Sequence, residues 1–191
     1  MRLIKKIKKG LKIHMTENKD KLQFCLLKGD AMLPEKNDED AGYDIYACFS
    51  DPWMVLLPHQ TVMIPTGIAS VFDKKYVAVL KERGSTGTKG MGQRSGIIDS
   101  GYRGEWLVPI TNHNYYPIAI VKEDEMENFK AAAESNKYYE LDDFLIYPYN
   151  KAICQALILP VPEMEVEQIT KEELEAAESK RGAGKLGSSG K

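Results

Sequence analysis

Cysteine is scarce in this 191-residue chain: there are three, Cys25, Cys48 and Cys154, far apart and with no C-x-x-C pair. That excludes a disulfide framework, argues against a zinc site, and fits reduced, buried thiols in a cytoplasmic protein. A long hydrophobic run is also missing. None reaches the ~18 residues a membrane span needs, so no membrane association is expected. Neither sign of charge dominates, since the formal net charge is −2. No global attraction to nucleic acid follows. The local exception is the basic start, MRLIKKIKKGLKIH, with Leu3, Ile4, Ile7 and Leu11 at roughly helical spacing. No apolar stretch follows its lysines, which argues against a signal peptide. A loose extension is expected over residues 1–22, with Met15 an alternative start. Internal repeats are absent.

What is present is a succession of short apolar runs cut by Gly, Pro, Asp and Asn: FCLL, YDIYAC, WMVLL, TVMIP, IASVF, YVAVL, then WLVPI and ICQALIL. Runs this short and rich in β-branched and aromatic residues predict an all-β sandwich, barrel or jelly roll. Pro109 predicts a strand end or an edge. Residues 123–139 read differently. Acids lead, Ala131 to Ala133 favour helix, and Met126, Phe129, Lys130 and Ala133 share one helical face. A helix inserted in a β domain is expected there. Thr170 and Glu173 form a capping-box pattern, which predicts a short helix or a charged linker over 170–180. By composition alone, RGAGKLGSSGK would be a disordered tail.

The chemistry concentrates between Lys81 and Asn112. Gly and Ser make up ten of the 24 residues from Lys81 to Gly104. Such residues let a backbone turn its amides toward one point, and Arg83, Ser85, Thr86 and Gly87 suit an anion, with a guanidinium beside them. A glycine-rich hairpin with surface arginines is the plainer alternative. Asp99 ends an apolar strand. It is either a general base for water or a turn aspartate. Tyr102 is either a platform for a sugar or base or a core tyrosine. Asp44 in AGYDIYA is either an acid for metal-bound water or a turn cap.

Five segments resemble, in order, the five motifs of the trimeric dUTPase (deoxyuridine triphosphatase) family. They are AGYDIYA, ERGSTGTKG, GIIDSGYRG, KAICQALI and RGAGKLGSSG, and together they span residues 41–190. The resemblance implies an all-β, jelly-roll-like distorted β-barrel, here with one inserted helix. It implies a β domain over 23–169, an insert over about 114–149, and a linker and C-terminal arm over 170–191. It implies a homotrimer with shared active sites, and hydrolysis of dUTP to dUMP and pyrophosphate with Mg2+ on the triphosphate. That reaction keeps uracil out of DNA and supplies dUMP for dTMP synthesis.

By motif position, Asp99 resembles the general base. Gln155 resembles the residue that holds the water or a phosphate. Arg181 resembles the cation that closes on the β,γ-phosphates with Gly187, Ser188 and Ser189. Arg83, Gly84, Ser85 and Thr86 resemble the phosphate cradle. Gln93, Gly96 and Ile98 lie where the family reads the pyrimidine, and Tyr102 resembles the gate that excludes a 2′-hydroxyl. Asp44 resembles the acid that meets magnesium through water. There are departures. Gly84 replaces a serine, Leu186 stands where a phenylalanine stacks on uracil, Lys185 replaces a glycine, and Ala152 sits near a usual arginine with Lys151 beside it. Two alternatives share the fold: a dCTP deaminase-like enzyme, and a catalytically weak, nucleotide-gated regulatory trimer.

Overall fold

A computed structural model describes residues 20–135, 137–180 and 182–183. The basic start lies outside the described residues, as do Arg181, Leu186, Gly187, Ser188 and Ser189 of the last motif. The described chain falls into two units, one ending at Val161 and one beginning at Pro162.

The first unit is mostly strand. In chain order the strands are β1 (Gln23–Leu26), β2 (Tyr43–Ile45), β3 (Trp53–Leu56), β4 (Thr61–Pro65), β5 (Ile68–Val71), β6 (Tyr76–Lys81), β7 (Met91–Gln93), β8 (Ile97–Ile98), β9 (Leu107–Asn112), β10 (Ile118–Val121), β11 (Leu145–Pro148) and β12 (Cys154–Pro160). They form four small sheets in the orders β1-β5, β11-β10-β3, β2-β12-β6-β8 and β4-β9-β7. The sheets wrap one apolar core that includes Ile45, Leu80, Trp106, Ile110 and Ile120. Trp106 is fully buried, donates from Nε1 to Ser70 Oγ at 3.2 Å, and meets the Phe24 ring edge-on.

Pro109 lies inside β9, the central strand of its sheet, rather than at a strand end. Its carbonyl accepts from Arg94 N at 2.9 Å, just past the end of β7. The N–H and C=O of one strand residue point the same way, so the missing donor faces the Arg94 carbonyl, which accepts from Gln93 Nε2 at 3.1 Å instead.

Among the described strand pairs only β10 and β11 run parallel. A parallel pair needs a crossover of a dozen residues or more, and the insert is that crossover. A 3-10 turn at Glu123–Glu125 leads into the helix Met126–Glu134, with Phe129 and Ala133 buried as the face predicts. Alternation along β10 sends Ile118 and Ile120 into the main core. Ala119 and Val121 go into a second cluster with Phe129, Trp53 and Phe144. The β3-β10-β11 sheet is thus covered on both faces.

In the second unit a short helix spans Lys171–Ala176, and Thr170 caps it as the sequence pattern predicts. Thr170 Oγ1 accepts from Glu173 N at 3.2 Å, and Thr170 N donates to the Glu173 carboxylate at 2.7 Å. No described helix is long and apolar enough to cross a membrane.

Candidate active site

Strand β6 runs directly into the glycine-rich loop, which is one helical turn, α1 (Gly84–Gly87). Gly87 N donates to Arg83 O at 2.9 Å and Thr88 N to Gly84 O at 3.2 Å. Small residues permit so tight a reversal at a strand end. Thr86 departs from its expected place against a ligand. It is fully buried, its hydroxyl accepts from Arg83 N at 2.9 Å, and it donates to Arg83 O at 3.1 Å. The hydroxyl closes the turn. Ser85 is exposed at the loop's tip. A Cβ on Gly84 would meet nothing within 4 Å, so packing does not demand glycine there.

Beside the turn, Arg83 Nε pairs with Asp44 Oδ1 at 2.8 Å. Arg83 Nη1 lies 3.4 Å from Ser85 Oγ and 3.3 Å from Ala152 O. Asp44, Arg83, Ser85, Lys89, Tyr147 and Lys151 are among the residues lining a pocket of ≈ 390 Å³. Burial pushes the Asp44 carboxyl above its ordinary value, and Arg83 only partly offsets this. Tyr147, itself buried, donates its hydroxyl to Ala152 O at 2.6 Å.

Gln155 on β12 lies opposite Asp44 on one side and Lys81 on the other. Its Nε2 donates to Glu82 O at 2.8 Å. Gly42 lets it sit there, because a Cβ on Gly42 would come within 2.6 Å of Gln155 Oε1 and 2.9 Å of its Cβ. The Glu82 carboxylate accepts from Gln93 N at 2.8 Å and pairs with Lys81 at 3.2 Å. Partial burial pushes its pKa up, but hydrogen bonds from its own amide and from Gln93, with the help of Lys81, leave it below the ordinary value. Gln93 donates from Nε2 to Arg94 O at 3.1 Å, while its Oε1 is buried without a partner. The turn that follows has Ser95 at φ 54° and Gly96 at φ 118°; a Cβ on Gly96 would lie 2.9 Å from Leu80 O.

Asp99 is exposed one residue beyond β8, where buried Ile98 pairs with Ala78. Its carbonyl accepts from Tyr102 N at 3.0 Å, and the Tyr102 hydroxyl donates to Glu105 O at 3.0 Å. Arg103 Nη1 holds the carbonyls of Ser100 at 2.6 Å and Tyr102 at 2.9 Å.

The order β2-β12-β6-β8 sets the two groups apart. Asp44 stands on one edge strand and Asp99 follows the other, three strand spacings away. By register, Asp99 is level with Val77, four residues along β6 from the Lys81 that faces Gln155. At ~4.8 Å per strand and ~3.3 Å per residue this is roughly 15–20 Å of sheet. One chain therefore brings Asp44, Arg83, Ser85 and Gln155 together, with Gln93 linked to them through Glu82. It does not bring Asp99 and Gln155 to one water. Sequence reasoning passed over Glu82, Lys89 and Tyr147. The first two flank the glycine-rich loop, which is a usable signal; Tyr147 arrives from the far end of the insert and carries none.

Residues 30–126 match the dUTPase family model. The deoxyuridine 5'-triphosphate nucleotidohydrolase of Legionella pneumophila (strain Paris) is 32% identical over 158 residues, covering 81% of this chain and 83% of that protein. A mutant of the Staphylococcus bacteriophage 80alpha dUTPase, solved with dUpNHpp, is 28% identical, with a TM-score of 0.66 over 88% of this chain and 98% of that one. A mutant of the S. aureus phage phi11 dUTPase, described as coordinating a structural Mg(II) ion, shares the fold at 24% identity and a TM-score of 0.60; the match covers 79% of this chain and 97% of that one. With the ordered motifs, the matched domain and these likenesses over most of the chain agreeing, the chain belongs to the dUTPase family of nucleotide hydrolases.

Proposed function

We propose that the chain hydrolyses dUTP to dUMP and pyrophosphate, by attack of water on the α-phosphorus. The observation that carries this reading is the convergence of Arg83, Asp44 and Ser85 on one pocket at the strand-to-turn junction, with Gln155 opposite Asp44 on the adjacent strand. Arg83 already has Nε on Asp44, and its remaining N–H groups suit phosphate oxygens bidentately. Ser85, Lys89 and Lys151 add donors at the rim. The orphaned Gln93 Oε1 is an acceptor waiting for a donor such as a pyrimidine imide. Tyr102 serves as the sugar gate, and Asp99, exposed beyond β8, takes the proton from water.

Among the described residues no three His, Cys, Asp or Glu side chains form a metal cage. A single partly buried carboxylate, Asp44, suits Mg2+, which keeps several waters and takes much of its coordination from substrate phosphates. When bound, Mg2+ would supply charge neutralisation on the triphosphate. Asp44 would hold its waters, Arg83 would orient the phosphates, and Gln155 would fix the amide side of the pocket.

The separation of the two residue groups favours active sites shared between subunits. A homotrimer with Asp99 of one copy facing Arg83 of another completes each site. Ile97, beside Asp99, is 62% exposed in the single chain and is a natural interface residue. Arg181, Leu186, Gly187, Ser188 and Ser189 are proposed to close over the β,γ-phosphates.

The test is pyrophosphate release from dUTP, dTTP, dCTP and UTP, with and without Mg2+, together with ammonia release from dCTP. Selective, Mg2+-dependent release from dUTP supports the proposal. Ammonia from dCTP overturns it in favour of a deaminase, and tight dUTP binding without release overturns it in favour of a regulatory binder.

A further inference from the structure

The insert reaches the pocket at the end of its return strand, through Tyr147 and Pro148. Its return strand β11 alternates like β10, so Ile146 packs in the cluster under the insert helix while Tyr147 turns inward to the main core. There the Tyr147 hydroxyl meets the Ala152 carbonyl at 2.6 Å, and the same carbonyl lies 3.3 Å from Arg83 Nη1. Tyr147 and Ala152 are both 2% exposed, so this acceptor is largely shielded from bulk water. Arg83 is thus held at two atoms, Nε by Asp44 and Nη1 by a carbonyl that has a second, shorter donor.

We infer that Tyr147 is a positioning residue for the phosphate cradle: by satisfying the Ala152 carbonyl, its hydroxyl leaves the Arg83 guanidinium free to turn toward a triphosphate. A buried carbonyl seeks a donor. With the phenol present, the long Arg83 contact is weak and easily exchanged for phosphate. Without it, Arg83 is the donor at hand, and the carbonyl draws Nη1 inward, away from the substrate. Burial raises the Tyr147 pKa, and the neighbouring Arg83 guanidinium, by its charge and by hydrogen bonding to the phenol, only partly offsets this. The insert helix packs behind the same strand through Phe129 and Phe144, whose rings are 5.3 Å apart. The strand that carries Tyr147 is therefore braced from outside.

This rests on the nucleotide reading of the pocket, and the experiment separates the two. Calorimetry measures binding of a non-hydrolysable imido analogue of dUTP with Mg2+, and of dUMP. In Tyr147→Phe the analogue should weaken on the order of tenfold and dUMP by less than about twofold, because dUMP lacks the outer phosphates. Arg83→Ala should lose the same contact, and adding Tyr147→Phe to it should cost nothing more. Incorporating 3-fluorotyrosine at position 147 keeps the hydroxyl and makes it a stronger donor; analogue affinity should equal or exceed that of wild type. This arm decides the matter if the phenylalanine variant does not melt cooperatively. Equal weakening of both ligands, additive losses in the double variant, or a fluorotyrosine protein that behaves like the phenylalanine one would overturn the role of Tyr147. A wild-type protein that binds neither nucleotide would overturn the nucleotide reading itself.

Discussion

At the scale of single residues, the carboxylate proposed as the general base, Asp99, is an exposed one. Asp99→Asn keeps the shape and removes the proton acceptor. Turnover should fall ~10²–10⁴-fold while analogue binding and melting temperature stay close to wild type. Stopped-assay kinetics beside calorimetry read both quantities, and a variant with near-normal turnover removes Asp99 from the mechanism. Glu82 is the other telling acid, because its charged form is the one the fold prefers. Its pKa is lowered on folding, so its contribution is present above the unfolded value and is lost as pH falls through the folded one. Glu82→Gln should cost about 0.5–1 kcal/mol at pH 7, after allowance for solvent screening of a partly exposed group. The melting-temperature gap to wild type should close as pH is lowered below the ordinary carboxylate range. A gap that persists at pH 3 would show that geometry rather than charge matters there. Asp99 and Arg83 stood out as candidates in the sequence because their types and the nearby glycines suit such chemistry. The use of Thr86 was not, because a hydroxyl in a glycine-rich loop reads equally as ligand donor or as cap, and only the backbone path decides between them.

At the scale of elements, the site depends on one close approach. Gly42 leads into β2 with Gln155 against its α-carbon. Gly42→Ala should push the Gln155 side chain off Glu82 O and reduce turnover by about tenfold or more, with a modest loss of stability from overpacking. A crystal structure of the variant with Gln155 unmoved, or unchanged kinetics, would contradict this. Most strands, the insert helix and the Thr170 cap could be read directly, because each shows a short β-branched or aromatic run, a helical face or a capping pair. β10 and β11 could not. IAIV and LIYP have no apolar-polar alternation, since the core covers one face of their sheet and the insert the other. Pro109 misled for a related reason. A proline argues for an edge only if its missing donor would leave a neighbour's carbonyl unpaired, and here the Gln93 side chain supplies the donor to Arg94 O.

At the scale of the whole molecule, the spacing of the two residue groups makes a quantitative claim. If each site takes Arg83 from one chain and Asp99 from the next, Arg83→Ala and Asp99→Asn homotrimers are both inactive. After unfolding and refolding together at equal amounts, about one site in four should receive both intact halves. Activity should recover to about a quarter of wild type in a pyrophosphate assay. No recovery would place the whole site within one chain.

If sites are shared as proposed, the wide separation of Asp44 and Asp99 across the sheet would also make catalysis a collective property of the solution. A chain that carries its own complete site turns over at the same rate per molecule however dilute it becomes. Here a lone chain would hold phosphate-binding groups without a base and a base without a phosphate to face. Serial dilution should therefore lower specific activity, and added inactive chains of the kind that complete the site should restore it. The amount of protein in a compartment would then set the rate per molecule as well as the number of molecules.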